Sequence, residues 1–340
     1  MESEGYRIDI NALCCRLGLG RLLRPAVSVS GGLLHRCFRA ETENGLYMVK
    51  ALNPQIMKRE AAMRNYIFAE NVTRQAQAGG LPAISAEVID GEWMHLLDGQ
   101  YYMIFPWVGG AAVTVGTADC GKAACMGELL ARLHGLDFAA LAEAVDWTFE
   151  VPLTDWAGQA AKAEGSPEWK KALEEYVPVL AAMQDAAAKA AVLLARDMVI
   201  SHRDLDQKNV LWCKDEPMLI DWESAGAVPP MVELLEVARY WSGADAGTPE
   251  AEAFRACIRG YIRGGGVLTE SWEEAISVGY AGKLGWLAYN VNRALGVEAS
   301  DESERVLGMA QVMGTLRAIE VQKRQEPLIR AWLNEAKEEV

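Results

Sequence analysis

The most informative part of the sequence is residues 199–226, which read VISHRDLDQKNVLWCKDEPMLIDWESAG. Two short apolar runs, Val210–Trp212 and Met218–Ile220, lie on either side of the polar segment Lys214–Pro217. Short apolar runs that bound a polar turn are typical of a β-hairpin. The segment therefore predicts a pair of strands in a region that is otherwise rich in helix-forming residues.

Polar side chains gather at the end of this predicted hairpin that lies away from its turn. They are His202, Asp204 and Asn209 before the first strand, and Asp221 and Glu223 after the second. Mg²⁺ prefers oxygen ligands and takes few of them from protein, so the Asn209 amide and the Asp221 carboxylate suit it. The further carboxylate at Asp204 is placed to accept a proton from a hydroxyl group.

The spacing of these residues is more specific than their types. Isolated Asp and Asn residues are common turn formers. Here, however, His-Arg-Asp-Leu is followed by Asn209 five positions after Asp204, which is typical of the catalytic loop of protein kinases. Asp221 comes 12 residues after Asn209, across a strand, a turn and a strand, where the metal-binding Asp of such folds is expected. The joint pattern therefore favours phosphoryl-transfer chemistry over a structural turn.

The rest of the chain divides into a β-rich part and a helical part. Strands are predicted over residues 26–30, 35–41, 46–52, 87–90, 93–97 and 100–105, with one helix over 55–77. Helices are predicted over 119–135, 168–195, 249–264, 271–295 and 301–338. The sequence thus predicts an α+β protein with an N-terminal lobe over residues 1–105, built of an antiparallel sheet and one helix. A helical C-terminal lobe is predicted over 106–340.

Charge is distributed unevenly between these two parts. The chain of 340 residues has 33 basic and 47 acidic side chains and a formal charge of −14, which argues against a general nucleic-acid binder. Residues 1–105 carry 11 basic and 11 acidic side chains, so the remaining 22 basic and 36 acidic side chains lie in residues 106–340. The whole acidic excess belongs to the predicted helical lobe.

Composition also predicts the cellular compartment. No uninterrupted apolar window of about 18 residues occurs, so no membrane span is expected. The first nine residues are polar and acidic and do not resemble a secretory signal. The seven cysteines form no CxxC pair, so reduced thiols are expected rather than a zinc site or a disulfide framework. We therefore expect a cytoplasmic protein.

From Val27 to about Gly296 the sequence resembles the aminoglycoside phosphotransferase and choline kinase superfamily, relatives of protein kinases that act on small molecules. The family's loop H-G-D-x-H-x-x-N is matched at His202, Asp204 and Asn209. Arg203 and Asp206 stand where the family usually has Gly and His. The family's I-D-W/F-E/D motif is matched by residues 220–223. The resemblance implies a bilobal protein-kinase-like fold with a nucleotide site in the N-terminal lobe and an acceptor site in the helical lobe.

A kinase-like fold also implies a lysine on the third strand that contacts the ATP phosphates and pairs with a glutamate of the following helix. Lys50 ends the predicted strand 46–52 and is the only lysine in the first 57 residues. Glu60 is its expected partner, with Glu70 as the alternative.

Two further segments are expected to contact the nucleotide. The loop around Ser30 and Gly31 lacks a complete G-x-G-x-x-G pattern, but its backbone N–H groups and the Ser30 hydroxyl are available for phosphates. The apolar segment after the last N-terminal strand, with Phe105, Trp107 and Val108, is expected to hold the adenine.

The mechanism implied by the resemblance is phosphorylation of a small-molecule hydroxyl by ATP, with GTP as an alternative donor. Asp204 orients the hydroxyl and takes its proton, while Asn209 and Asp221 hold Mg²⁺. Glu223 is a further candidate metal ligand. Catalysis of this kind consists mainly of positioning and charge neutralisation.

The identity of the acceptor stays open at this level. The acidic helical lobe favours a cationic acceptor of the aminoglycoside type, with antibiotic resistance as the corresponding role. Choline, fructosamine, homoserine, thiamine and macrolides are alternatives, and for choline an aromatic cage at Trp286, Tyr289 and Arg293 is a candidate. A non-catalytic nucleotide-binding protein is less well supported, because Lys50, Asp204, Asn209 and Asp221 are all present. A protein kinase is less well supported because no activation-loop-sized insertion follows Asp221. Oligomeric state cannot be read from the sequence.

Overall fold

The structure is a computed structural model that describes residues 6–29, 34–165, 167–299 and 301–338. It shows a mixed α+β fold and confirms that fold class. The chain forms two compact units. The first comprises the residues up to 113 with 138–144 and 208–225, and the second comprises 114–137, 145–207 and the residues from 226 onward.

The first unit is built on a five-stranded antiparallel sheet in the order β1-β2-β3-β5-β4. Its strands are β1 (Val27–Val29), β2 (Arg36–Thr42), β3 (Gly45–Ala51), β4 (Met94–Leu97) and β5 (Gln100–Pro106). The pair Asn44-Gly45 is typical of a tight hairpin, and β2 and β3 pair on either side of the two-residue turn Glu43-Asn44. One face of the sheet buries Val49, Tyr102 and Ile104 in a shared apolar cluster.

Among the described residues, three α-helices accompany this sheet, where one was predicted. They are α1 (Ile10–Arg16), α2 (Pro54–Met57) and α3 (Ala62–Ala78). A turn at residues 58–61 interrupts the predicted helix 55–77. Helix α1 has seven residues, which are too few for hydrophobic periodicity to indicate a helix. The strand predicted over 87–90 is wrong, since there Ile89 makes only an isolated bridge to Glu92.

The predicted hairpin of residues 210–220 is confirmed and belongs to the first unit. It consists of β8 (Val210–Cys213) and β9 (Glu216–Leu219), and β6 (Ala111–Ala112) adds a third strand beside β8. The Leu219 N–H donates to the Pro82 carbonyl at 2.7 Å, and the Ile84 N–H donates to the Leu219 carbonyl at 3.0 Å. These hydrogen bonds join the hairpin to residues that precede β4, so the first unit does not end at a single boundary at 105/106.

Helices dominate the second unit. They are α4 (Cys120–His134), α5 (Trp156–Ala161), α6 (Glu168–Leu194), α7 (Pro230–Trp241), α8 (Ala251–Arg263), α9 (Trp272–Val278), α10 (Ala281–Ala294) and α11 (Glu302–Glu338). A short two-stranded sheet pairs β7 (Val199–Ser201) with β10 (Gly226–Val228). The predicted helix 271–295 is divided at Gly279-Tyr280 into α9 and α10, and α5 and α7 were not predicted.

Helix α6 is the one helix in the described part of the chain whose length and composition would suffice to cross a membrane. The core helix of a soluble protein meets the same criterion. Its residues Trp169, Leu173 and Leu180 are buried in one apolar cluster with α10 and α11, and Ala187 and Leu194 are buried in another. These contacts make α6 a core helix of the second unit.

Helices α4 and α8 pack at very short range through two glycines. A Cβ atom added at Gly127 would lie 2.0 Å from the Cys257 carbonyl oxygen, and one added at Gly260 would lie 2.0 Å from the Ala124 carbonyl oxygen. The obstructing atoms are backbone, so neither contact can be relieved by a side-chain rotation. This close crossing sets the distance between the side chains that the two helices present to each other.

We therefore expect Gly260→Ala to reduce the free energy of unfolding by about 1–3 kcal/mol, because it forces α4 and α8 apart. Gly314→Ala is the matched control, since Gly314 lies within α11 and an added Cβ would meet nothing within 4 Å. It should raise stability by up to about 1 kcal/mol through helix propensity. Urea denaturation measures both changes, and equal effects at the two sites would contradict the packing argument.

Candidate active site

The register of the β8–β9 hairpin brings Asn209 and Asp221 together. Val210 pairs with Leu219, and the next residue pair outward is joined by the Ile220 N–H, which donates to the Asn209 carbonyl at 3.0 Å. Asp221 follows directly, in the left-handed backbone conformation with φ 63°. The two residues predicted to hold a metal thus lie at neighbouring ends of paired strands.

Lys50 on β3 reaches the same end of the hairpin. Its Nζ lies 2.6 Å from Asp221 Oδ1 and 3.0 Å from Glu223 Oε2. Lys50 is only 8% exposed. Burial lowers the pKa of its ammonium group, but the carboxylates of Asp221 and Glu223 outweigh burial and hold the pKa well above its usual value. The cluster is therefore an ammonium ion neutralised by two carboxylates.

Two residues that sequence reasoning missed, His35 and Tyr66, complete this cluster. His35 Nδ1 accepts a hydrogen bond from the Asn53 N–H at 2.9 Å, so Nε2 carries the ring proton. That nitrogen lies 2.7 Å from the Tyr66 hydroxyl and 3.1 Å from Glu223 Oε2. The strand pattern could have indicated His35, because Cys37 lies opposite Lys50 and residues two apart on a strand share a face.

The sequence expectation for the partner of Lys50 needs correction. Glu60 does not lie on a helix facing Lys50 but in the exposed turn 58–61 between α2 and α3, so it does not pair with Lys50. The alternative, Glu70, is buried on α3, where Oε1 accepts from the Ala86 N–H and pairs with Arg74 at 2.7 Å. Burial raises the pKa of Glu70 to about 7 although Arg74 opposes the shift.

The remaining nucleotide candidates are placed as follows. Ser30 and Gly31 lie outside the described residues. Phe105 is on β5 and packs beside a cluster of Leu52, Tyr66, Ala86 and Met103. Trp107 and Val108 follow β5, and the Arg39 guanidinium lies 5.3 Å from the centre of the Trp107 ring. These three candidates form a half-buried apolar segment in the first unit, as expected from the sequence.

Asp204 belongs to the second unit, in the loop after β7. Its N–H donates to His202 Nδ1 at 3.3 Å, and the carbonyl of the next residue, Leu205, accepts from Trp241 Nε1 at 3.0 Å. Arg203 has φ 66°, in the region that favours glycine, which is the residue the resembling family usually has here. The Arg203 side chain lies over Gly226, where an added Cβ would be 2.5 Å from its guanidinium.

A buried chain of hydrogen bonds fixes this loop from below. Glu233 on α7 accepts from the Arg203 N–H at 2.6 Å through one carboxylate oxygen, and its other oxygen lies 2.9 Å from His134 Nε2. His134 Nδ1 lies 2.9 Å from the Tyr261 hydroxyl. Burial raises the pKa of Glu233, but the hydrogen bond and charge of His134 outweigh it and keep the pKa below its usual value. The close α4–α8 crossing brings His134 and Tyr261 together.

The donor set at Asn209 and Asp221 fits Mg²⁺, whereas Glu223, the further candidate ligand, contacts Lys50 and His35. Among the described residues no group of three or more His, Cys, Asp or Glu is arranged to hold a metal by itself. Mg²⁺ does not need such a group, because it usually binds one or two protein oxygens and takes its other ligands from phosphates and water. An amide oxygen and a carboxylate on adjacent backbone positions meet this requirement.

Comparison with known proteins gives an independent view of the chain. The family model described as "Phosphotransferase enzyme family" matches residues 26–268, which is more than half of the chain. No curated protein matches significantly.

Several solved structures share the fold at low sequence identity. Spectinomycin phosphotransferase APH(9)-Ia in complex with ADP and spectinomycin is 12% identical, covering 94% of this chain and 99% of its own, with a TM-score of 0.68. The microcompartment-associated aminopropanol kinase is 13% identical, covering 94% and 98%, with a TM-score of 0.61. The ethanolamine kinase of Plasmodium vivax is 15% identical, covering 91% and 83%, with a TM-score of 0.57.

The family match carries more weight than the structural neighbours, whose identities show a common fold alone. It spans β1 to β5, the hairpin with Asp221 and the loop with Asp204. The chain therefore belongs to the phosphotransferase enzyme family.

Proposed function

We propose that this enzyme transfers the γ-phosphoryl group of ATP to a hydroxyl of a small cationic acceptor, an aminoglycoside-type compound or an amino alcohol. The observation that carries the nucleotide half of the proposal is the cluster of Lys50, Asp221 and Glu223, adjoining Asn209. A structural neighbour with bound ADP supports the choice of nucleotide.

The proposed roles follow from the chemistry of each group. Lys50 binds phosphate oxygens, and Asn209 and Asp221 hold Mg²⁺, which neutralises phosphate charge when bound. Asp204 orients the acceptor hydroxyl and accepts its proton as the oxygen–phosphorus bond forms. The bond between the γ-phosphorus and the bridging oxygen breaks, and ADP leaves with that electron pair. The buried contact of Glu233 with the Arg203 N–H holds the Asp204 loop in place for this step.

The carboxylate of Glu236 in the second unit is the candidate partner for a cationic acceptor. It lines a small recess together with Asp245, Arg239 and Lys283, and both basic residues pair with Asp245, at 2.9 and 3.2 Å. The Tyr240 hydroxyl donates to Glu236 at 3.0 Å. Burial raises the pKa of Glu236 to about 7. Lys283 and the hydrogen bond from Tyr240 lower this pKa, whereas the negative charges of Glu233 and Asp204 raise it further. The Asp204 carboxylate is thus within electrostatic reach of Glu236. A substrate ammonium group at Glu236 would relieve the repulsion among these carboxylates.

Two further observations favour an amine over the other acceptors. Ethanolamine and aminopropanol, which appear in the names of two structural neighbours, are amino alcohols. The acidic excess of the chain also lies entirely in residues 106–340. For a quaternary amine the candidate cage at Trp286 and Tyr289 is less suitable, because the Arg293 guanidinium lies 5.5 Å from the centre of the Tyr289 ring.

A panel of acceptors tests the proposal directly. Phosphorylation of aminoglycosides and amino alcohols should be detected by an ADP-release assay, with ATP and GTP compared as donors. Transfer confined to neutral compounds such as macrolides would contradict the cationic acceptor. Nucleotide binding without transfer to any compound, or transfer to a protein alone, would contradict the small-molecule reaction.

Asp204→Asn should lower kcat by a factor of about 10²–10⁴, because the proton acceptor for the hydroxyl is lost. The dissociation constant for MgATP should change less than twofold, since Asp204 has no role in nucleotide binding. Asp215→Asn in the exposed β8–β9 turn removes the same charge and should leave both quantities unchanged. A variant at position 204 that keeps the wild-type rate would refute the assignment of the base.

The pKa of Glu236 predicts how acceptor use depends on pH. A carboxyl with a pKa of about 7 is about one-tenth ionised at pH 6 and about nine-tenths ionised at pH 8. Since the ionised form attracts the cation, kcat/KM for the acceptor should rise by up to about tenfold between these pH values.

Glu236→Gln should flatten this rise in kcat/KM and raise the acceptor KM. Glu274→Gln, on the first turn of α9, is the control that removes a carboxylate elsewhere in the second unit. A pH profile that is unchanged in Glu236→Gln would show that another group controls acceptor binding.

A further inference from the structure

Glu223 occupies a position in the cluster that the general role of a metal ligand does not explain. Its Oε2 is contacted by Lys50 Nζ at 3.0 Å and by His35 Nε2 at 3.1 Å, and its side chain is 22% exposed. Asp221, by comparison, contacts Lys50 through Oδ1 and has a side chain 33% exposed. Glu223 is thus the more enclosed of the two carboxylates, and it is bound by two neighbours in the first unit.

The hydrogen-bond directions at His35 show how His35 and Tyr66 together hold this carboxylate, an arrangement that we call the brace. Because Nδ1 accepts from the Asn53 N–H, the single ring proton sits on Nε2, which has no lone pair to offer. The Tyr66 hydroxyl, 2.7 Å away, therefore accepts from Nε2 and keeps its own proton for another acceptor. Burial raises the pKa of Tyr66, and the charge and hydrogen bond of Glu223 raise it further. Tyr66 and His35 hence both engage Glu223.

The brace lies where a helix glutamate would be expected to reach Lys50. Tyr66 is on α3, which packs against the turn Trp222–Ser224. The acidic residue on the same helix, Glu70, is bound to Arg74 and to the Ala86 N–H. Glu60 lies in the exposed turn before α3. The helix therefore supplies a tyrosine at this site, and the carboxylate for Lys50 comes from the segment after β9.

We propose that Glu223, held by His35 and Tyr66, replaces the helix glutamate as the residue that positions Lys50 for the nucleotide phosphates. This inference rests on the proposed function, in which Asp221 is used by Mg²⁺ and Lys50 must retain one anionic partner. His35 and Tyr66 act through Glu223 and are positioning residues, since neither contacts Asp221 or the nucleotide in this scheme.

The test is a double-mutant cycle on nucleotide binding. The dissociation constant for MgATP is measured by calorimetry without acceptor for the full-length wild type, Tyr66→Phe, Glu223→Gln and the double variant. Tyr66→Phe should raise it about three- to tenfold, the size of one lost hydrogen bond, and Glu223→Gln should raise it at least as much. The double variant should bind no more weakly than Glu223→Gln alone, because Tyr66 acts only through that carboxylate.

Controls separate positioning from a general effect on folding. Tyr176→Phe removes a hydroxyl that also donates to a carboxylate, at Glu320, but in the second unit, and should leave MgATP binding unchanged. The acceptor KM should stay within twofold in Tyr66→Phe, whereas the ATP KM should follow the dissociation constant. His35→Gln should also raise the dissociation constant for MgATP, and it should have no further effect on that constant when it is combined with Glu223→Gln.

The outcomes are distinct. The brace would be overturned if the effects of Tyr66→Phe and Glu223→Gln on the dissociation constant for MgATP multiply in the double variant. It would also be overturned if Tyr66→Phe binds MgATP as tightly as Tyr176→Phe does. In either case the proposed function stands as long as the wild-type protein binds MgATP. A wild-type protein that does not bind MgATP would overturn the proposed function and this inference with it.

Discussion

The candidate nucleotide site depends on one physical constraint, the burial of the Lys50 ammonium group. An unneutralised ammonium at 8% exposure would carry a desolvation cost of several kcal/mol. The structure meets this cost with two carboxylates from the segment after β9, so the hairpin has to be joined to the sheet that carries Lys50. The hydrogen bonds of Leu219 with Pro82 and Ile84 join the hairpin to the segment between α3 and β4, and the Glu87 N–H of that segment donates to the Ile104 carbonyl on β5 at 2.7 Å. The burial of the Lys50 ammonium group therefore depends on the position of the β8–β9 hairpin within the first unit.

In the second unit, the close packing of α4 and α8 supports the hydrogen bonds of the buried Glu233. Gly127 and Gly260 allow α4 and α8 to approach closely, and the two helices then present His134 and Tyr261 to each other. The His134 side chain lies 2.9 Å from the buried Glu233 carboxylate, and Glu233 in turn accepts a hydrogen bond from the backbone next to Asp204. The loop conformation, including the positive φ of Arg203, is therefore maintained by groups remote in sequence.

Sequence reasoning succeeded where spacing along the chain is short. The hairpin register and the adjacency of Asn209 and Asp221 follow from local pattern, and the predicted strands of the sheet agree with the structure except at 87–90. It failed for the partner of Lys50, because the carboxylates that Lys50 contacts lie 171 and 173 residues away and not on the next helix. Tyr66 lies in the helix predicted over 55–77, and no periodicity distinguishes a core tyrosine from one whose hydroxyl contacts a carboxylate. Such distinctions arise from tertiary contacts that composition and period do not encode.

The double pairing of Lys50 has a consequence for how a nucleotide would enter. Under the proposed function, MgATP arrives with both a cation and an anion, and the resident ion pair consists of the same two charge types. Binding would then be an exchange of partners, in which the phosphates take Lys50 and the metal takes Asp221. Breaking the contact between Lys50 and Asp221 costs free energy that the new contacts have to recover, whereas a bare positive patch would have no such contact to break.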